Sequence, residues 1–351
     1  MIAKRRNLGC RIYDELKYKG LDFIILENEL LSISILTGKG TDIISLLYKP
    51  KDIDFMWVSP KNFDKNDMQR PDFLETYLGG WQEIIPNGGS PCIYKGASFN
   101  LHDESPMLPW QYEIIQDEPE CIEVRFFVSL KKTPLFLEKN IKLLSGKSVI
   151  YINERLTNNS NETIDFMWGH HPCLGEPFLS KDCIINLNAE RVLSNKLSIS
   201  ANPLVKPGAE GSFKKFPSSG GKGDIDLSIV LDKNAHAADL LYIEGLKDNW
   251  FSITNLKQKL GIGFVFDPKI FKYLYYWMVY GGSNGYPWYS NTYSLAIEPW
   301  SSYPGLGLLE TIENNTALKI KPGQKIETWL NAVIFEKDSE VKKINQDLTV
   351  I

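Results

Sequence analysis

The sequence predicts an all-β fold, a sandwich of large antiparallel sheets, on three observations. Short apolar runs rich in Ile, Val, Tyr and Phe recur along the chain, separated by Gly, Pro, Asn and Asp, as in strands and their turns. Residues 122–131 alternate in part, with Ile122, Val124, Phe126, Val128 and Leu130 set against Glu123, Arg125, Phe127, Ser129 and Lys131. Such a strand has one face in the core and one toward solvent. Helical patterns are not interspersed between the runs, unlike in an α/β chain.

Strands are expected at 21–27, 31–36 and 41–48, then at 112–116, 122–131, 135–144, 148–157 and 163–170. The polar stretch TNNSNETI (157–164) is a turn between two of them. Further strands fall at 250–254, 260–266, 273–280, 293–297 and 329–335. The Gly/Pro/Ser-rich stretch 205–226 reads as a long surface loop rather than a linker, because strand patterning resumes after it with the same character. Helices are expected at 306–315 and 337–346. No fixed-period repeat is evident, which argues against a propeller or solenoid. The 351 residues, 43% of them hydrophobic, suffice for one large core, so 1–351 is read as a single domain.

Composition excludes several partners. The net charge is -4 and 23% of residues are charged, with no clustered basic surface of the kind nucleic acid or an anionic membrane requires. The pairs Lys131-Lys132, Lys214-Lys215 and Lys342-Lys343 and the triplet Lys4-Arg5-Arg6 are too short to be more than solvated surface. Five cysteines without a CxxC spacing suggest neither a disulfide framework nor a zinc site, and free thiols fit a reducing compartment. The basic N-terminus lacks an apolar segment after it, and no apolar run approaches the ~20 residues of a membrane helix. The cytoplasm is the expected location.

Three segments carry candidate chemistry. Of four histidines, His170 and His171 follow a strand, and Pro172 is expected to end its ladder. Adjacent strand residues point to opposite faces, so only one of the pair can enter a given pocket. Histidine titrates nearest neutrality and is the first place to look for proton transfer. Segment 275–305 crowds together Tyr275, Tyr276, Trp277, Tyr280, Tyr286, Trp288, Tyr289, Trp300 and Tyr303. Aromatic faces stack on sugar C–H groups, and their polar edges donate hydrogen bonds. Glu298 ends an apolar strand there, where partial desolvation would raise its basicity. In the third segment, 79–89, two Gly-Gly pairs bracket Gln82 and Asn87; such glycines let backbone approach a ligand closely.

These residues resemble the aldose 1-epimerases of the galactose mutarotase superfamily, in a divergent branch. GHHPCLG (169–175) resembles that family's catalytic-histidine motif, with His171 at the matching position. AIEPWSSYPG (296–305) looks like the motif of its catalytic glutamate, matching Glu298. FNLHDE (99–104) is similar to its upstream Leu-His-Gly segment, which makes His102 a second substrate histidine, although Asp103 stands where Gly is usual. ALKIKPGQKIETWLNAVIF (317–335) resembles the closing strand pair. Asp226, with Asp224 as rival, best matches an aspartate that binds sugar hydroxyls. The family's arginine has no clear counterpart; Gly-Trp-Gln-Glu stands there, bringing in Gln82 and Asn87. Trp277, Tyr280 and Trp300 are the expected aromatic walls.

The resemblance covers nearly the whole chain. It implies a β-supersandwich, a galactose mutarotase-like carbohydrate-binding domain, and interconversion of hexose anomers by acid–base ring opening, with Glu298 as base and His171 as acid. It implies no metal or organic cofactor, a small-molecule sugar as partner, and a monomer or homodimer. The alternatives are a non-catalytic sugar-binding protein of the same fold, a hexose-phosphate epimerase and a glycoside hydrolase or lyase. The candidate segments contain almost no Arg or Lys for a phosphate. Hydrolysis usually employs two carboxylates.

Overall fold

The structure, a computed structural model, describes residues 6–61, 65–69, 72–221 and 223–351. Among them the chain is mainly antiparallel strand, and the only α-helices are Phe73–Thr76 and Leu308–Glu313. An eighteen-stranded sheet carries the architecture and folds into two layers around the core. No helix among the described residues is long and apolar enough to cross a membrane.

One layer runs, strand beside strand, through Ala237–Asn255, Tyr273–Tyr280, Tyr293–Trp300, Gly169–Leu174, Trp81–Ile84, Asp42–Tyr48, Leu31–Leu36, Leu21–Glu27 and Arg11–Tyr18. The other runs through Gln111–Glu118, Cys121–Ser129, Leu135–Leu144, Val149–Asn158, Lys325–Phe335 and Leu260–Phe266. The 19-residue strand Ala237–Asn255 belongs to both. Its first part pairs with Tyr273–Tyr280 and its second with Leu260–Phe266. The chain changes direction at Gly245, whose φ of +66° suits glycine, opposite an irregularity between Leu187 and Ala189 in the partner strand Cys183–Ser194.

The two layers differ in sequence texture for a physical reason. Strands Cys121–Ser129 and Leu135–Leu144 alternate buried and accessible residues, because one face meets water. Strands Gly169–Leu174, Tyr293–Trp300 and Leu260–Phe266 are buried at every position; Leu260–Phe266 reads as the continuous apolar run of a strand covered on both faces, whereas the other two bury the polar residues His170, His171 and Glu298.

Several expectations are corrected. Residues 163–170 are not one strand: Ile164–Phe166 pairs with Leu318–Ile320, and a separate strand, Gly169–Leu174, contains both histidines and continues through Pro172. The helix at 306–315 is present in shortened form, but 337–346 is not helical. There Val341, Ile344 and Leu348 have helix-like spacing, yet they pack as irregular chain against Trp250, Val265 and Val333, and Asn186 holds the backbone of Val341. The 205–226 stretch is more than a loop. Buried Phe213 and Phe216 anchor it, Glu210–Gly211 pairs with Cys183–Ser194, and Phe216–Pro217 pairs with Asp224–Ile225. The five cysteines are free.

Candidate active site

His170 and His171 split between the two faces of the first layer. His170 turns to the core. Trp81 donates its indole N–H to His170 Nδ1 at 3.2 Å, and His170 Nε2 meets Glu154 at 3.2 Å. Indole only donates, so Nδ1 accepts and the proton resides on Nε2, directed at Glu154. Glu83 and Lys139 complete this buried cluster, with Lys139 Nζ 3.1 Å from Glu83.

His171 turns the other way, into a cavity of about 260 Å³ lined by Phe73, Tyr77, His102, Trp277, Trp288 and Glu298 among others. Its Nε2 lies 3.5 Å from Glu298 Oε1, and its Nδ1 lies 3.5 Å from the Tyr77 hydroxyl. The register explains this meeting. Gly169 pairs with Trp300 and Cys173 with Ala296, so His171 and Glu298 are level on neighbouring strands. The other oxygen of Glu298 accepts the Trp300 indole N–H at 2.9 Å. Trp300 is itself clamped, stacked on Tyr275 with centroids 4.9 Å apart. A Cβ on Gly169 would lie 2.2 Å from the Trp300 ring, so glycine there is a packing requirement.

Burial sets the protonation of the pair. It pushes the Glu298 carboxyl up to about 8, opposed by the Trp300 hydrogen bond. It pulls the His171 imidazole down to about 4. A carboxyl and an imidazole in a dry site both favour their neutral forms. Near neutral pH the pair therefore holds one proton, with the carboxyl as its favoured place in the empty cavity.

His102 faces the same cavity. Its ring is 6.0 Å from that of His171, edge-on to Phe73 at 4.6 Å and stacked near Trp300 at 6.3 Å. Its Nδ1 is buried without a hydrogen-bond partner, and burial draws the ring down to about 3. The backbone at His102 is left-handed, with φ +48°, a conformation that neighbouring contacts must hold. Those contacts come from the next two residues. Asp103 accepts from Asn100 N at 2.9 Å and pairs with Lys132. The Glu104 carboxylate accepts the backbone N–H groups of Lys131, Lys132 and Thr133. Asp103 in place of glycine is thus an anchor, and Lys132 is a structural partner rather than free surface.

The other expected residues divide sharply. Trp277 lines the cavity. Trp300 supports Glu298 from behind instead of forming a wall. Tyr280 is three residues from Trp277 in the same strand, so it faces the opposite side, where its hydroxyl meets that of Tyr276 at 3.2 Å. Asp226 lies against a separate cavity with Leu227, Tyr276 and Met278 and accepts from the backbone and hydroxyl of Ser228; Asp224 is exposed in a short strand. Asn87 spends its amide on loop carbonyls and accepts Leu308 N. Gln82 is level with His171, but it donates to Gly79 O at 2.6 Å and lies beside the buried Lys39–Asp42 pair. Tyr280, Asp226, Asp224, Asn87 and Gln82 stand outside the cavity lining. Sequence reasoning did not find Tyr77 or Phe73. Both are set by the short helix Phe73–Thr76, which Asp72 caps by accepting Leu74 N and Glu75 N. The Asp-x-x-Glu spacing at its start was the available signal.

Residues 18–208 match a family described as a domain of unknown function, DUF4432. The chain belongs to that family. No curated protein matches its sequence. Among solved structures it is similar to a provisionally assigned aldose 1-epimerase from Klebsiella pneumoniae, with a TM-score of 0.71 and 16% identity over 94% of this chain and 84% of that one. It is also similar to a galactose mutarotase related enzyme from Lactobacillus acidophilus (TM-score 0.59, 18% identity, 92% and 100% covered). A third is a galactose mutarotase-like protein from Clostridium acetobutylicum (TM-score 0.63, 11% identity, 93% and 99% covered). The fold of this DUF4432 chain is therefore galactose mutarotase-like.

Proposed function

We propose that the cavity binds the reducing end of an aldose and interconverts its anomers by opening and closing the ring. The observation that carries this reading is the His171–Glu298 pair, 3.5 Å apart, level and buried at one side of an aromatic cavity that has room for a single sugar ring. One partner removes the proton of the C1 hydroxyl while the other protonates the ring oxygen. The C1–O5 bond breaks to an open-chain aldehyde, C1 turns about its bond to C2, and the reverse transfers close the ring on the other face. The resemblance assigns Glu298 as base and His171 as acid. A pair holding one shared proton reaches that arrangement when a polar substrate favours the carboxylate–imidazolium form. General acid–base help is worth on the order of 10²–10⁴-fold per group. Trp277 and Trp288 offer stacking faces, and His102 offers its unpartnered ring nitrogen to a sugar oxygen.

The test is anomer exchange followed by polarimetry or NMR on fresh aldoses. Acceleration that is lost in Glu298→Gln and in His171→Asn supports the reading. No acceleration of any aldose between pH 5 and 9 would remove it. A second reading, sugar binding without turnover, draws on the same burial that keeps the Glu298 carboxyl protonated at pH 7. It predicts saturable sugar binding with no rate enhancement.

A further inference from the structure

His171 stands in the middle of a line of polar contacts. On one side the Trp300 indole donates to Glu298 Oε2 at 2.9 Å, and Glu298 Oε1 faces His171 Nε2 at 3.5 Å. On the other side His171 Nδ1 lies 3.5 Å from the Tyr77 hydroxyl, which also reaches the Cys173 thiol. Cys173 is two residues beyond His171 in the same strand and shares its face. Tyr77 is buried. Its ring is stacked on Phe73 at 5.0 Å and packed near Trp57 and Trp288 at 5.7 and 6.0 Å, so the hydroxyl is held at Nδ1 by the packing of the ring. The His102 ring is 6.0 Å from that of His171. Asp42 lies farther along, beyond Gln82, and is paired with Lys39.

The indole end gives the line a direction. An indole only donates, so Oε2 accepts and the carboxyl proton of the resting pair sits on Oε1, aimed at Nε2. Nε2 then accepts, and the one proton of the neutral imidazole falls to Nδ1, directed at the Tyr77 oxygen. The Tyr77 proton is left for the Cys173 sulfur, a weak acceptor that burial keeps as an uncharged thiol.

We infer that Tyr77 is a positioning residue, whose oxygen accepts the Nδ1 proton of His171 and so keeps Nε2 directed at Glu298. Its effect on turnover rests on the reading of the pair as acid and base of the anomer exchange. When the proton passes from Oε1 to Nε2, one O–H bond breaks and one N–H bond forms, while the Nδ1–H···O contact stays made. The imidazolium thus forms without rearrangement on its far side. Tyr77 donating to Nδ1 would lose its bond at that same step. A neutral phenol here holds the place of the third group that orients a catalytic base, and it does so without adding charge to the cavity.

Nitrogen-15 NMR of the histidine rings in the native chain at pH 7 tests the direction, with the His171 signals assigned by their loss in His171→Asn. The expected form is Nδ1–H. An Nε2–H ring in the native chain overturns the inference, whatever the turnover. Tyr77→Phe keeps the packed ring and removes the oxygen. It should move the tautomer balance at least threefold toward Nε2–H, since a buried donor without an acceptor is penalised. Its kcat for anomer exchange should fall by roughly 10-fold, as for loss of a hydrogen bond to a charged group, with KM within about twofold of native. Its acid limb should move to lower pH, because the imidazolium loses an acceptor. An unchanged tautomer balance, kcat and acid limb in folded Tyr77→Phe overturn the positioning role while leaving the anomerase reading in place. The expected tautomer and its shift in Tyr77→Phe, in a native chain that turns over no aldose, uphold the positioning of His171 and remove the anomerase reading.

Discussion

The Trp300 indole holds one oxygen of Glu298 at 2.9 Å, leaving the other to face His171 at 3.5 Å. The carboxyl is thus aimed by a donor that cannot accept, and Trp300 is fixed in turn by stacking on Tyr275. A hydrogen bond from an indole favours the carboxylate over the acid, so it counters part of the effect of burial.

Replacing Trp300 with Phe keeps the stack and removes the donor. The Glu298 carboxyl should then titrate higher still. The alkaline limb of the rate profile should move up, and exchange at pH 7 should fall by roughly 10-fold, in line with loss of a hydrogen bond to a charged group. An unmoved limb in Trp300→Phe would show that the indole does not tune the carboxyl.

The rate of anomer exchange should be bell-shaped in pH. The pair works while it holds one proton. It gains a second as pH falls through about 4 and loses its last as pH rises through about 8. Polarimetry across pH 3–10, corrected for the uncatalysed reaction, reads both limbs. A rate that keeps rising beyond pH 9 contradicts the shared-proton description.

Stability should depend on pH through the same groups. The folded-state value of Glu298 lies above its ordinary 4.5. Its stabilising contribution is therefore complete below about 4.5 and is lost as pH rises through about 8. Glu298→Gln should be more stable than the native chain at pH 9, by roughly 2–5 kcal/mol, and close to it at pH 4. The histidines act in the opposite direction. Burial lowers His102 to about 3 and His170 and His171 to about 4, so their contribution is present above about 6.5 and is lost as pH falls through those values. Thermal melts at several pH values measure both trends, and identical melting curves for Glu298→Gln and the native chain at pH 9 would count against the carboxyl's buried protonation.

Gly169→Ala should lower stability by about 1–3 kcal/mol, the usual cost of overpacking, because its Cβ would meet the Trp300 ring at 2.2 Å. It should also slow exchange more than its stability loss explains, since Trp300 positions Glu298. Denaturant melts and exchange rates on the same preparation separate the two effects. Full activity in the folded variant would show that the indole position is not critical.

Asp226→Asn should leave sugar affinity within about twofold, less than the loss expected from removing a hydrogen bond to a charged group, because Asp226 serves Ser228 beside a different cavity. Calorimetry with the best-bound aldose reads this directly. A tenfold loss would return Asp226 to the sugar site.

Much of the architecture was legible before the structure. Alternation in 122–131 and 135–144 marks strands with one wet face, and the apolar runs at 260–266 and 273–280 mark strands covered on both. Strand Ala237–Asn255 was not legible in full, because its bend at Gly245 and the polar Lys247-Asp248-Asn249 after it interrupt the pattern. The helix expected at 337–346 is absent because Val341 and Ile344 bury themselves as irregular chain draped over a sheet. In the site, Tyr77 was missed because a four-residue helix carries too little periodicity to be seen. Tyr280 was included because crowding in sequence does not reveal which face a strand residue takes.

By itself the sequence determined the strand-rich class, the placing of His171, His102 and Glu298 in motif-like segments, and the aromatic enrichment around them. Local pattern encodes these directly, since strand period and residue type are properties of neighbours along the chain. Only the tertiary structure decided that His170 serves a buried Glu154 while His171 meets Glu298, that Trp300 supports instead of lining, and that Asp226, Gln82, Asn87 and Tyr280 look elsewhere. Those outcomes depend on register between strands far apart in sequence and on burial from every side, which also raises the Glu298 carboxyl and lowers the His171 ring.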